Sequence, residues 1–240
     1  MWAILEELHL KMPSSEPTPE SVFAEHLQEA LPLDLPNRDR CIAGSAHHLA
    51  LMAEANQQFN LTRISSPHEA AIKHVADSVW PWLLFASAKH VVDAGSGAGF
   101  PGIPLALVLP GTQFTLVESR QKKAAFLTST VSALGLSNVT VVSDRVESWI
   151  LGQSPQTVVT ARALAHLTDA IPLFAKALTQ GNRVLLYKGP EVQVQIAEAT
   201  LLPKNRKYSF RILQDYELPQ HLGSRCIVEL ALSVKPRQPR

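Results

Sequence analysis

The chain has 240 residues, of which 46% are hydrophobic and 18% are charged, and its formal net charge is +1. These values exclude a disordered or low-complexity protein and predict a globular fold, either one large domain or one domain with a smaller appended unit. Dedicated nucleic-acid-binding proteins tend to be strongly basic overall, so any contact with nucleic acid must depend on a local basic patch.

The sequence contains no pattern typical of export or of membrane insertion. Glu6 and Glu7 interrupt the first apolar run and no cleavage site follows, so a signal peptide is not expected. The other apolar stretch, residues 79–88, is about half as long as a bilayer requires. Cys41 and Cys226 lack the spacing of a metal or redox motif and are expected to be reduced thiols. We therefore expect a cytoplasmic protein and favour a monomer, although the sequence leaves the oligomeric state open.

The first third of the chain is predicted to be helical. Apolar residues recur at a spacing of three to four over Ser21–Leu31, Arg38–Asn56 and His68–Val79, and prolines separate these segments. His47 and His48 are adjacent and cannot share one face of a helix, so no metal site is predicted there or elsewhere. We expect residues 1–80 to form a helical extension of a second unit, residues 81–240.

Short β-branched runs begin near residue 89 and alternate with segments of helical length. They are His90–Ala94, Phe114–Val117, Val139–Val142, Val158–Ala161 and Arg183–Tyr187. This alternation predicts βαβ units and a mostly parallel sheet covered on both faces. The helix after the second run should span Arg120 to Leu134, with Gly135 as its left-handed cap. Tyr208–Leu213 and Arg225–Leu232 should add an antiparallel pair at the sheet edge, and the tail 235–240 should fray.

A glycine-rich segment, VVDAGSGAGFPG at 91–102, connects the first predicted strand to a helix. In a doubly wound sheet this turn binds the cofactor. Gly95, Gly97 and Gly99 allow positive φ angles and a close approach of the ligand to the backbone. A plain tight turn is the alternative, but three alternating glycines would then be costly without a purpose.

Two cofactor classes compete for this turn. Residues 97–102 formally satisfy the GxGxxG pattern of dinucleotide-binding proteins, which alone is a weak signal. The frame argues against a dinucleotide, because Asp93 and three further residues separate the strand from the pattern, and Phe100 falls where a small residue belongs in the alternative frame. A carboxylate at Asp93 would repel a pyrophosphate and attract the ammonium and sulfonium of S-adenosylmethionine. We therefore predict S-adenosylmethionine as the cofactor.

Glu118 ends the second predicted strand, about 20 residues beyond the loop, where a carboxylate accepts hydrogen bonds from ribose hydroxyls. This feature fits a nicotinamide cofactor equally well. A solvated acidic residue at the start of a helix is the remaining alternative.

Seven blocks of sequence, from residue 59 to residue 189, resemble one known family in the family's own order. They are FNLTRI at 59–64, KHVADS at 73–78, DAGSGAGFPGIP at 93–104, LVESRQKKAAFL at 116–127, SDRVES at 143–148, VVTARALAHL at 158–167 and LYKG at 186–189. The family is that of the bacterial small-subunit ribosomal RNA guanine-N7 methyltransferases called RsmG, formerly GidB. The resemblance implies an α/β, Rossmann-like class I methyltransferase fold with an N-terminal helical extension.

The resemblance also implies cofactor-binding residues. Gly95 and Phe100 match the family's loop contacts, Val146 and Glu147 match its contacts on the adenine side, and Arg162 matches the arginine after the fourth strand. The departures are mild: Lys123 stands where relatives often have arginine, Val146 where small residues occur, and 186–187 where alanine-leucine is frequent. Lysine at position 123 weakens bidentate recognition of phosphate.

The implied chemistry requires few catalytic side chains, because guanine N7 carries a lone pair and no proton and can attack the methyl group without a general base. Catalysis then consists chiefly of alignment and exclusion of water. We expect Arg162 and Lys188, at the ends of the fourth and fifth strands, to help place the guanine or its phosphates. Because N7 lies on the major-groove edge, which is inaccessible in an RNA helix, the target guanine must be unpaired or extruded.

The resemblance implies a guanine in a loop of 16S ribosomal RNA, near the decoding site, within an assembled small subunit. Predicted RNA contacts are the basic residues Arg63, Lys73, His74, Arg120, Lys122 and Lys123. Solvated charge is the alternative for any one lysine, and a buried structural hydrogen bond is the favoured role for His74 and Asp77. Two other functions stay open at this stage, a nicotinamide-dependent dehydrogenase and a noncatalytic RNA-binding protein.

Overall fold

The computed structural model describes residues 19–64, 66–150 and 157–233, and these residues contain one seven-stranded sheet. The first apolar run, which contains Glu6 and Glu7, and the tail 235–240, which was expected to fray, lie outside the described residues. The strands are β1 (His90–Ala94), β2 (Gln113–Val117), β3 (Val139–Val142), β4 (Val158–Arg162), β5 (Arg183–Lys188), β6 (Tyr208–Glu217) and β7 (Ser224–Leu232). The five predicted parallel strands are therefore found within one residue of their expected bounds.

The strand order is β3-β2-β1-β4-β5-β7-β6. Strands β1 to β5 pair in parallel, and β7 runs antiparallel between β5 and β6. The predicted antiparallel pair at the sheet edge is thus present. Strand β6 is longer than predicted, because a register irregularity between Ile212 and Gln214 lets it continue to Glu217. The strand order grows in one direction from β1 to β3 and in the other from β4 onward. Sheets of this kind bind ligands in a crevice at such a switch point, here beyond the carboxyl ends of β1 and β4.

Between residues 19 and 80, the described part of the chain contains three helical segments before the sheet. Helix α1 spans Pro19–Ala30 and α2 spans Arg38–Asn56, close to the predicted bounds. A third helical segment comprises α3 (Pro67–Ala70), a π-helical stretch (Ala71–Ala76) and α4 (Asp77–Val79). Helical periodicity predicted the whole segment but not its π-helical centre. The described residues include no helix that is both long and apolar enough to cross a membrane.

Among the residues that the structure describes, five α-helices connect the strands. They are α5 (Gly102–Val108), α6 (Gln121–Ala133), α7 (Val146–Trp149), α8 (Leu167–Thr179) and α9 (Val192–Leu201). Helix α6 follows the predicted bounds, and Gly135 adopts a φ of +60° as expected of its cap.

Two apolar clusters cover the two faces of the sheet, as the alternation of side chains along each strand requires. Val91 belongs to a cluster that also contains Leu27 of α1 and Leu49 of α2. Its neighbour Val92 belongs to the second cluster, with Phe174 of α8. The helices before residue 80 therefore pack on one face of the sheet. The division into units at residue 80 stays a prediction.

Candidate functional site

The glycine-rich loop leaves β1 with three left-handed glycines. Gly95, Gly97 and Gly99 have φ angles of +71°, +60° and +100°. A methyl group added at Gly99 would meet Ile103 at 2.6 Å, whereas one at Gly97 would have Gly95 O, at 3.9 Å, as its nearest neighbour. Gly99 is therefore required by packing, while the α-carbon of Gly97 faces open space.

Asp93, the acidic residue at the end of β1, is fully buried beneath this loop. Its Oδ2 accepts a hydrogen bond of 3.0 Å from Gly102 N at the start of α5. Its Oδ1 has no hydrogen-bond partner among the described residues. Burial raises the pKa of the carboxyl from 3.8 to about 7, against the lowering effects of the Gly102 N–H and of Arg162. The side chain thus points into the protein beside the crevice and keeps one acceptor atom unused.

Glu118, at the end of β2, holds the loop from the side. Gly97 N donates to Oε2 at 3.0 Å, and Arg120 N donates to Oε1 at 2.8 Å. The residue is 6% exposed, so it is not the solvated acid of the alternative interpretation. It lies where the sequence predicted, next to the open side of Gly97.

Phe100 anchors the end of the loop under the N-terminal helices. Its ring stacks with His48 of α2 at 4.6 Å and with His74 of the π-helical stretch at 4.7 Å between ring centroids. Phe100 is 5% exposed, so its ring offers almost no surface to a ligand, and its contact with a cofactor stays a prediction. Burial lowers the pKa of His48 to about 4 and that of His74 to about 3. Both rings are therefore neutral at physiological pH.

Arg162, at the end of β4, ties the sheet to the third helical segment. Its Nη1 donates to Lys73 O at 3.0 Å and to His74 O at 3.2 Å, and it forms an ion pair of 3.3 Å with Asp77. Its guanidinium also lies 5.3 Å from the centre of the Phe100 ring. Only 16% of the side chain is exposed, so most of its hydrogen-bonding capacity is used inside the protein.

The neutral tautomer of His74 follows from its neighbours. Arg162 Nη2 lies 3.4 Å from Nδ1 and can only donate, so Nδ1 accepts. Nε2 therefore carries the proton and donates to Thr62 Oγ1 at 3.0 Å. This places His74 in a structural chain from the FNLTRI block to β4, which agrees with the favoured structural role.

Asp77, for which the sequence favoured a buried structural hydrogen bond, is the centre of a buried network whose distant partners the sequence did not predict. Besides Arg162, its Oδ2 contacts Arg225 Nε of β7 at 3.5 Å, and its Oδ1 accepts a hydrogen bond of 3.1 Å from Tyr216 of β6. Tyr187 of β5 donates to Ser78 O at 2.7 Å. The network therefore links the third helical segment to four strands, β4, β5, β6 and β7.

A cavity of about 690 Å³ lies beyond the carboxyl ends of β4 and β5. Its lining combines charged and other polar side chains with apolar ones: Ile64, Lys73, His74, Asp77, Arg162, Ala163, Ala165, His166, Tyr187, Lys188, Gly189, Gln195 and Arg225. Lys188 Nζ donates to Ala165 O at 2.6 Å, and burial lowers the pKa of its ammonium. Ala163 has a φ of +52°, a costly angle for a residue other than glycine, and strain of this kind often marks functional loops.

The cavity brings together four of the predicted residues and leaves the others elsewhere. Lys73, His74, Arg162 and Lys188 line it. The cavity lining does not include the residues of the glycine-rich loop, Glu118, or the first residues of α7. Val146 is buried and Glu147 is half-buried, and both lie at the start of α7 after β3.

The other predicted RNA contacts lie outside the cavity lining. Arg63, Arg120 and Lys122 are exposed, and Lys123 is half-buried. The last three follow β2, at the carboxyl edge of the sheet. Within the described ranges, no group of three or more potential ligands could hold a metal ion.

Comparison with known proteins identifies the family. A family model described as GidB, rRNA small subunit methyltransferase G, matches residues 44–221, well over half the chain. The chain belongs to the rRNA small subunit methyltransferase G family. Ribosomal RNA small subunit methyltransferase G of Solibacter usitatus (strain Ellin6076) is 61% identical over 208 residues, which cover 87% of this chain and 99% of that protein. The protein of the same name from Sorangium cellulosum (strain So ce56) is 38% identical over 212 residues, covering 85% and 87%.

Solved structures that resemble this member of the family are more distant in sequence. An O-methyltransferase from Bacillus cereus in complex with SAH aligns with a TM-score of 0.54 at 15% identity, covering 78% of this chain and 91% of that one. A mutant of MtNAS in complex with S-adenosylmethionine aligns with a TM-score of 0.51 at 16% identity, covering 92% and 86%. The predicted class I methyltransferase fold is confirmed.

Proposed function

We propose that this protein transfers a methyl group from S-adenosylmethionine to N7 of a guanine in 16S ribosomal RNA. The observation that carries the proposal is the membership of the chain in the rRNA small subunit methyltransferase G family, together with a left-handed glycine loop at the crevice of a class I methyltransferase fold. The dehydrogenase and the noncatalytic RNA-binding protein are not favoured by either observation.

The residues of the crevice fit a cationic nucleoside cofactor. Asp93 offers an unused buried acceptor, Gly97 presents an open α-carbon, and Glu118 lies beside it with a carboxylate suited to ribose hydroxyls. When bound, the cofactor supplies an electrophilic methyl group on a sulfonium. We assign Gly95, Gly99 and the Phe100 backbone to the loop that surrounds the cofactor. The resemblance supplies the other contacts: Val146 and Glu147 on the adenine side, and Arg162 at the end of β4.

The cavity beyond β4 and β5 is the proposed site for the guanine. Lys188 is its most direct candidate for a contact with the base or its phosphate, because its ammonium is half-buried at the cavity wall. Arg162 acts there mainly by holding Lys73, His74 and Asp77 in place. N7 needs no base, so the role of these residues is to orient the acceptor and exclude water.

The RNA footprint is proposed to extend from the cavity to the basic residues near its edge. These are Arg63, Lys73, His74, Arg120, Lys122 and Lys123, with His74 acting through structure because its ring is neutral and hydrogen-bonded. We further propose a monomer that acts in the cytoplasm on the small ribosomal subunit. An unpaired or extruded guanine in that particle meets the accessibility that N7 requires.

Transfer of labelled methyl to undermethylated small subunits tests the proposal directly. We expect incorporation into 16S ribosomal RNA, and nucleoside analysis of the product should yield 7-methylguanosine. Calorimetric titration should detect S-adenosylmethionine and not NAD. Binding of NAD but not of S-adenosylmethionine would favour the dehydrogenase function. Binding of S-adenosylmethionine without methyl transfer to RNA would favour the noncatalytic RNA-binding protein.

A further inference from the structure

An exposed basic surface lies where β6 begins, and we call it the β6 basic corner. It consists of Arg183, Lys204, Arg206, Lys207 and Arg211. Between residues 203 and 211 the sequence contains four basic residues and no acidic one. Lys204, Arg206, Lys207 and Arg211 are all exposed, and the Lys207 ammonium lies 5.3 Å from the centre of the Tyr208 ring.

The strand register places this corner at the opposite end of the sheet from the cavity. Lys188, which lines the cavity, pairs with Cys226, whereas Val184 pairs with Leu230. Tyr208 pairs with Leu232, still further along β7. Five residues of extended strand separate the cavity end of β5 from its beginning, which corresponds to about 17 Å. The corner is therefore a surface separate from the proposed acceptor site.

Positive charge is concentrated at this corner. Glu229 forms ion pairs with Arg183 at 3.1 Å and with Arg211 at 2.7 Å, and these arginines lower the pKa of its carboxyl although burial opposes them. Five cations against one carboxylate give +4, whereas the whole chain carries +1, so the remaining residues sum to −3. Within the described ranges, Lys204, Arg206 and Lys207 form no ion pair.

Protection of the sheet edge does not account for the whole corner. β6 is an edge strand, and charged side chains on such a strand prevent unwanted pairing with other chains. Lys204 and Arg206, however, precede the strand and belong to a short 3-10 turn and its cap, so they are not part of the β6 ladder. The chain also leaves β7 here, since Ser233 N donates to Lys207 O at 2.8 Å. The sequence beyond it, outside the described residues, contains Lys235, Arg237 and Arg240 and no acidic residue.

We propose that the β6 basic corner binds phosphates of ribosomal RNA at a place distinct from the loop that contains the target guanine. The inference rests on the proposed function for the identity of the RNA. A polyanion of regular charge spacing gains affinity from such a surface by release of counterions, without any reading of sequence. The two binding places lie at opposite ends of the sheet, so a structured particle can engage both at once and bind more tightly than either place alone allows.

A triple variant, Lys204→Gln with Arg206→Gln and Lys207→Gln, tests the corner. We expect its Kd for undermethylated small subunits to rise about tenfold at low salt, and the slope of log K against log salt to become shallower by about two to three. The affinity for S-adenosylmethionine, the melting temperature and the turnover at saturating particle should stay at wild-type values, because none of the three residues lines the cavity or the loop.

A charge-preserving variant, Lys204→Arg with Arg206→Lys and Lys207→Arg, is the matched control and should keep the wild-type slope. Equal slopes for the neutral triple variant and the wild type would overturn the inference. Binding to vesicles that contain phosphatidylserine, without binding to ribosomal RNA, would overturn the assignment to RNA. If the wild-type protein binds the particle through this surface but transfers no methyl group, the proposed function is wrong, whereas the assignment of the β6 basic corner to RNA binding is supported.

Discussion

Two buried carboxylates at the carboxyl edge of the sheet have opposite surroundings. Asp77 contacts Arg162, Arg225 and Tyr216, so its charge is well compensated. Asp93 accepts one backbone hydrogen bond, and one of its oxygens has no partner among the described residues. A buried acceptor without a partner is costly, so Asp93 is the carboxylate that gains most when a cation binds nearby.

Asp93 should make the stability of the cofactor-free protein depend on pH. Burial raises the pKa of its carboxyl in the folded state to about 7, against an ordinary value of 3.8. The folded state thus binds the proton more tightly, so the free energy of unfolding should fall as pH rises from about 4 to about 7 and then level off. Asp93→Asn should remove this dependence and weaken binding of S-adenosylmethionine. Urea denaturation at several pH values and calorimetry measure the two effects.

The exposed Asp34, which lies before α2 and outside every proposed site, offers a matched control for this prediction. Asp34→Asn should keep both the pH dependence and the cofactor affinity of the wild type. If Asp93→Asn and the wild type lose stability in parallel across the same pH range, Asp93 is not the group responsible.

Alanine variants of Lys188 and Arg162 should have similar effects on the rate of methyl transfer but different effects on the free energy of unfolding. Lys188→Ala removes one hydrogen bond at the cavity wall and should cost about 1 kcal/mol of unfolding free energy. Arg162→Ala also removes a buried ion pair with Asp77 and should cost about 3 kcal/mol. Both should slow methyl transfer by about tenfold to a hundredfold. Denaturation and single-turnover assays provide the comparison, and wild-type turnover in Lys188→Ala would exclude that lysine from the acceptor site.

Residues next to strand ends were predictable, and partners distant in sequence were not. Asp93, Glu118 and Arg162 each end a β-branched run, so the rule that parallel strands present their carboxyl ends at one edge locates them. Asp77 meets Arg162 across 85 residues and Tyr216 across 139. Periodicity carries no information on such pairs, because they depend on the order of strands in the sheet.

Among the elements, the glycine-rich loop combines two different requirements. A side chain at Gly99 would meet Ile103 of α5 and Leu127 of α6, and one at Gly102 would meet Leu116 of β2 and Asp93 of β1. Gly97, in contrast, is small beside open space. The sequence predicted positive φ angles for the first three glycines of the loop, and they have them. The sequence did not distinguish a glycine that packing requires from one that faces open space, because the difference depends on neighbours in the folded structure.

Alanine at two positions of the loop should have opposite effects. Gly97→Ala should cost only about 1 kcal/mol of stability from its left-handed φ, but should weaken cofactor binding strongly because the new methyl enters the open side. Gly102→Ala would drive a methyl group against Leu116 and Asp93 and should destabilise the fold by more than about 2 kcal/mol. Thermal denaturation and calorimetry distinguish the two, and wild-type cofactor affinity in Gly97→Ala would contradict the proposed position of the loop.

Two elements differ from the sequence prediction for a local reason. The π-helical stretch Ala71–Ala76 has the same apolar spacing as an α-helix, so its extra residue per turn is invisible in the pattern. In β6 the irregularity near Leu213 breaks strict alternation, and the strand was therefore predicted to end four residues early.

At the scale of the whole molecule, a net charge of +1 conceals an uneven distribution. Basic residues near the start of α6 lie at the carboxyl edge of the sheet, and the β6 basic corner lies at the other end. Composition correctly excluded a uniformly basic protein but could not locate either patch, because a total charge carries no information on where in the chain or in the fold the charges lie. The order β5-β7-β6, which positions the corner, was likewise beyond a linear pattern.

Neutralisation of Lys122 and Lys123 together should weaken RNA binding and reduce its salt dependence. Both are on the first turn of α6 and are exposed or half-exposed. Loss of about two phosphate contacts should make the slope of log K against log salt shallower by one to two, approximately. Filter binding at several salt concentrations measures it, with Lys122→Arg alone as a charge-preserving control. An unchanged slope would remove both lysines from the footprint.

The stack of Phe100 between two histidines has a consequence for any attempt to alter this protein. The end of the loop rests on rings contributed by α2 and by the π-helical stretch, which precede it by many residues. A chimera that borrows only the motif, or a fragment that starts after residue 80, would lose that support and its shape. A chimera that is to keep the shape of the loop must therefore contain the glycine-rich loop together with the N-terminal helices that carry His48 and His74.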